Sequence, residues 1–175
     1  MQWTILFITS LIAALIFLQD VKDRAVTWFY FPVLAIMGIA AGLADSTPAP
    51  ALLTNTLVNM GFLMLQFALL TAYYSIRTGS WQLIIGKKLG WGDVLFLAAA
   101  SCYFSPMNFL LFYCFSLFFT LTIHLTLRLT VWKNTPATVP LAGLQSLFLV
   151  IFLVACKVLD HHTGNDAWIF HYLTT

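Results

Sequence analysis

Six apolar stretches follow one another along the chain, each continuous rather than alternating, with only short polar breaks between them. They run over about 1–19, 26–43, 52–76, 86–104, 107–129 and 139–159. A helix rises about 1.5 Å per residue, so about 20 apolar residues cross a hydrocarbon core about 30 Å thick. Strands of a membrane barrel would instead alternate apolar and polar positions. The expectation is an all-α, polytopic membrane helix bundle of about six transmembrane helices, with residues 1–175 forming a single domain.

Composition removes the competing class. The 175 residues are 61% hydrophobic and 8% charged, whereas a soluble domain carries about 25% charged residues. The net charge is only +2, so the lipid bilayer is the expected partner and nucleic acid is not. Met1 to Leu18 carries no Lys or Arg and leads straight into Asp20-Val21-Lys22-Asp23-Arg24. A secretory signal would begin with a positive stretch; this segment reads as a retained first span.

The basic residues orient the bundle. Lys22 and Arg24 fall in the first connection, Arg77, Lys87 and Lys88 in the third, and Arg128 and Lys133 in the fifth. Seven of the eight Lys and Arg thus share one side, with Lys157 the exception. The positive-inside rule makes that side the cytoplasm and places both termini outside a cell (inner) membrane.

All six acidic residues are Asp. Asp20 closes the first span and Asp93 opens the apolar part of the fourth. A carboxylate at membrane depth is costly and marks function. Counted from Lys88, Asp93 lies about 7–8 Å inward along a helix. Gly90-Trp91-Gly92 ahead of it is poor helix material, but its glycines offer backbone freedom and room for another chain. Irregular backbone at this depth implies surrounding protein or water.

A recessed acid, a yielding backbone and water suit peptide-bond hydrolysis. Two carboxyls about 3 Å apart share one proton. The ionised one then takes a proton from water while the protonated one hydrogen-bonds the scissile carbonyl. Asp20 and Asp93 both lie at cytoplasmic ends of spans, so helix packing can unite them as a catalytic pair. Gly90 and Gly92 would shape the site, and Arg24 and Lys88 would support it electrostatically. Each signal also has a plainer explanation. Gly-x-Gly-Asp alone makes a turn, and Asp20 can pair with Arg24 one helical turn on as an interfacial anchor.

Other polar residues have structural readings. Asp23 is a solvated loop residue, and His124 a hydrogen-bonded core residue of the fifth span. Asn55, Asn59 and Gln66 on the third span are interhelical hydrogen-bonders. His161 and His162 beside Asp160 hint at a metal but lie in a short polar tail. Cys102, Cys114 and Cys156 sit inside apolar runs as small buried side chains, with no Cys-x-x-Cys. No metal or cofactor is expected.

Taken together, Asp20-Val21-Lys22-Asp23-Arg24 and Gly90-Trp91-Gly92-Asp93 resemble the two motifs of the type IV prepilin peptidase family and its preflagellin branch. These are polytopic aspartyl proteases with one Asp in a D-x-x-x-R-like stretch and the other in G-x-G-D. The resemblance extends over the six-span core and implies that Asp20 and Asp93 are catalytic. It implies cleavage of prepilin-like membrane proteins on the cytoplasmic side, between a basic leader and an apolar helix. Val26-Thr27-Trp28 stands where the family carries Ile-Pro-Asn, and Leu95 where it carries Lys. The four-cysteine domain of bifunctional members has no counterpart, so their methylation activity is not implied. Gln19, where presenilin-like relatives carry Tyr, separates the chain from that branch.

Two other functions remain open. One is a catalytically silent assembly or scaffold protein built on the peptidase fold. The other is a small ion or proton transporter, disfavoured because the acids cluster at span ends.

Overall fold

The computed structural model describes residues 2–79, 90–130 and 141–169, with side chains as far as residue 126 in the second stretch. Six α-helices follow in order: α1 (Gln2–Asp23), α2 (Tyr30–Ala44), α3 (Ala49–Thr78), α4 (Trp91–Ala100), α5 (Pro106–Thr130) and α6 (Leu141–Val158). A single 3-10 turn, Ser101–Tyr103, continues α4. Among the described residues there is no strand, and the protein is an all-α helical bundle.

The span count differs from the expected six. Among the described residues, four helices, α1, α3, α5 and α6, are long and apolar enough to cross a membrane. The second and fourth apolar stretches yield helices too short to do so. Arg24 adopts a left-handed φ of 51° that ends α1, and the chain turns before α2 begins at Tyr30. Fifteen residues of α2 then rise only about 22 Å. In the fourth stretch α4 begins at Trp91, and extended backbone at Phe104 stops the 3-10 turn before Pro106 opens α5.

The surface is apolar and much of the polarity is internal. Trp3, Phe7, Leu57, Met64 and Ile76 are exposed, whereas Thr9, Asn59, Ser101, Asn108, Ser116, Gln145 and Ser146 are buried. Water would penalise that distribution and lipid does not. Together with the four spans, this makes the chain a membrane protein.

Aromatic packing fills the interior. Phe104 stacks on Phe112 at 5.1 Å, and Phe112 meets both Phe148 and Phe152 at 6.0 Å, joining α5 to α6. The break after α4 leaves carbonyls without helical partners, a cost that must be met inside a membrane. Asn59 of α3 meets it, donating to the carbonyls of Ser101 at 3.0 Å and Phe104 at 2.8 Å.

Side-chain bonds close the two ends of the bundle differently. At one end Gln2 bonds Asp45 and Lys157, joining the start of α1 to the ends of α2 and α6. Nearby, the segment after α6 folds back over the start of α5. The Asp166 carboxylate accepts from the Ser105 hydroxyl and from the backbone amides of Met107 and Asn108. The other end carries Asp20 and Asp93.

Candidate active site

The first turn of α6 is where the two acids converge. A helix start leaves backbone N–H groups without internal acceptors, and its positive pole favours anionic partners. Asp20, near the end of α1, accepts from the Gly143 amide through Oδ2 at 2.6 Å. Asp93, in the first turn of α4, accepts from the neighbouring Ala142 amide through Oδ1 at 2.8 Å. Two carboxylates from separate helices therefore occupy consecutive donors on a third, near enough to interact electrostatically.

Burial differs between them. Asp20 is 8% exposed, while Asp93 is half-buried. Asp93 Oδ2 also accepts from the Gly90 amide at 3.2 Å, tying down the start of its own helix. Oδ1 of Asp20 has no hydrogen-bond partner among the described residues. Arg24 stands one turn beyond Asp20, its amide bonded to the Asp20 carbonyl at 3.1 Å, and its charge attracts the carboxyl.

The two glycines differ. Gly90 has an ordinary extended backbone (φ −67°, ψ 144°), but a β-carbon there would stand 3.1 Å from Oδ2 of Asp93. A β-carbon on Gly92 would meet only the Phe31 ring, at 3.9 Å. The close approach of one helix to another falls at Gly143, where a β-carbon would stand 3.4 Å from the Phe17 backbone. Asp93 lies in the first turn of α4 and not within a helix running from Lys88, because α4 starts at Trp91. Lys88 is outside the described residues.

Ala142 and Gly143 were not legible as site residues from motifs. The available signal was Pro140 ahead of an apolar run, which marks a helix start and its free amides.

The remaining expectations divide. Gln66 donates to the Tyr113 hydroxyl at 2.5 Å and joins α3 to α5 as expected, whereas Asn55 donates at 3.1 Å to the Gly164 carbonyl in the turn after α6 and Asn59 to the break after α4, so neither of these bonds another long helix. Asp23 is exposed, and Cys102 and Cys156 are buried, but Cys114 is exposed on the outer face of α5. Nδ1 of His124 is buried with no partner among the described residues. His161 stacks on Trp168 at 4.4 Å. Among the described residues no three His, Cys, Asp or Glu gather in a geometry that could hold a metal ion.

No protein-family model, curated protein or solved structure matches this chain.

Proposed function

We propose that the protein is a membrane-embedded aspartyl endopeptidase that cleaves the leader peptides of prepilin-like substrates at the cytoplasmic face. Asp20 and Asp93 are its catalytic acids. The supporting observation is that these two carboxylates, chosen from two short motifs, converge on consecutive amides of α6. The resemblance supplies the substrate class, and the arrangement of basic residues supplies the orientation, with both termini outside an inner membrane.

In this reading one carboxyl is ionised and the other protonated. The ionised group takes a proton from water as the water oxygen bonds to the scissile carbonyl carbon. The protonated group hydrogen-bonds the carbonyl oxygen and transfers its proton as charge develops there. Collapse of the tetrahedral intermediate breaks the C–N bond: the proton held by the first carboxyl passes to the leaving amine, and a hydroxyl of the intermediate returns its proton to the second carboxyl as the C=O bond re-forms. The amides of Ala142 and Gly143 hold both groups in place throughout.

A second reading has support of its own. The same hydrogen bonds make Asp20 and Asp93 helix caps, which is all that a catalytically silent scaffold needs. Asparagine separates the two readings, because it keeps an oxygen acceptor for the amide but cannot trade protons. The protein is co-expressed with prepilin-like membrane proteins encoded near it, and leader removal is followed by mass. Asp20→Asn and Asp93→Asn should each lower cleavage by at least about 10²-fold while membrane insertion persists; Asp23→Asn should change little. Continued processing in either of the first two variants defeats the peptidase assignment.

A further inference from the structure

Gln145 and Thr120 face each other's helices across the α5–α6 interface, and each carries a buried polar atom with no partner among the described residues. Gln145 is 0% and Thr120 2% exposed. On α5, Ser116, Thr120 and His124 recur every fourth residue and so lie along one stripe. Nδ1 of His124 is likewise buried and unmatched among the described residues.

Hydrogen-bond direction fixes how Gln145 lies. Ser116 Oγ donates its one proton to the Tyr113 carbonyl at 2.9 Å, so towards Gln145 it can only accept. Nε2 of Gln145 donates to it at 3.4 Å, which turns Oε1 away as an acceptor without a donor. The helices are antiparallel: Phe112 meets Phe152, Ser116 meets Gln145, and Phe119 meets Phe148. Thr120 is one turn on from Ser116, about 6 Å along the axis, towards the start of α6. A single water bonded at both sides bridges about 5.5 Å, and buried water occupies sites where polar groups of this kind converge.

We infer that the seam between α5 and α6 is a water-binding site held by Gln145 Oε1 and Thr120 Oγ1, behind the helix end that receives Asp20 and Asp93. An amide oxygen and a hydroxyl are uncharged hydrogen-bonding groups that suit water better than an ion. Gln145 follows Ala142 by three residues, about 4.5 Å along α6, so this water lies one helical turn from the amide that holds Asp93. As a reserve for the hydrolytic water the site rests on the peptidase reading; as a hydrated seam it does not.

The test is hydroxyl-radical footprinting of the purified full chain in detergent, without substrate, by a short X-ray pulse. Leu144, buried beside Gln145 and level with Thr120 in the antiparallel register, should be labelled several-fold more than Leu97, comparably buried on α4. Thr120→Val should remove that excess and lower the melting temperature, and Thr120→Ser should retain both. Equal labelling of Leu144 and Leu97, or a rise in melting temperature in Thr120→Val, overturns the water site. Cleavage is then read separately: Thr120→Val should lower kcat several-fold at unchanged KM, with Thr120→Ser near wild type. Unchanged kcat after loss of the label overturns the reserve role. Footprinting needs no substrate, so failure of the peptidase reading does not touch it.

Discussion

Gly143 and Asp20 are in contact across two helices: a β-carbon on Gly143 would stand 3.0 Å from both Cβ and Oδ2 of Asp20. The bare backbone at Gly143 leaves room for the α6 amide to reach the carboxylate at 2.6 Å.

Gly143→Ala should therefore cost stability. Overpacking of a tight interface typically costs about 1–3 kcal/mol. Gly61, on α3, provides the control, since a β-carbon there meets nothing within 4 Å and Ala is the better helix former by about 1 kcal/mol. Thermal unfolding in detergent should show Gly143→Ala melting lower and Gly61→Ala at or above wild type. Equal behaviour of the two would contradict the contact.

Asp93→Ala and Asp93→Asn should part company in stability as well as in cleavage. Alanine removes the acceptor for the Ala142 amide, and loss of a cap costs about 1 kcal/mol. Asparagine keeps an acceptor for the Ala142 amide and gives up only the exposed bond from Gly90, so it should melt between the alanine variant and wild type. Denaturant titration of both variants checks this without any substrate.

Asn59→Leu should be among the more damaging single changes in α3. It strips the donor from two carbonyls at the break after α4, and an unsatisfied buried polar group costs about 1–3 kcal/mol. Asn55→Leu, on the same helix, removes a half-buried side chain that makes one bond and should cost less. The order of the two unfolding midpoints is the measurement.

Asp166→Ala should loosen the segment after α6. Its carboxylate gathers the Ser105 hydroxyl and two amides at the start of α5. Limited proteolysis should cut between residues 159 and 169 several-fold faster in the variant, with cleavage of leaders unchanged. An unaltered digestion pattern would show that the other bonds to Thr163 hold the segment alone.

The helical, lipid-facing character was legible because it depends on runs of apolar side chains, which the chain displays openly. The second and fourth spans were overcounted because hydropathy measures apolar length and not helical length. Arg24 carries a left-handed kink, and Phe104 and Ser105 lie in an extended break, yet neither interrupts the apolar pattern enough to be seen. The two acids were legible as unusual charges beside apolar helix. Their shared anchor was not, since backbone amides have no sequence signature beyond a helix start. The role of Asp166 was hidden for the same reason: it reaches Met107 and Asn108 across 59 and 58 positions of chain.

The anchor of Asp20 lies 123 positions further along the chain. During synthesis α1 through α5 are polymerised before the amide that receives this carboxylate. Until then both acids wait without their donors, and the site comes into being only as the last long helix is laid in, so a nascent chain released short of residue 143 carries the acids but not the place where they meet.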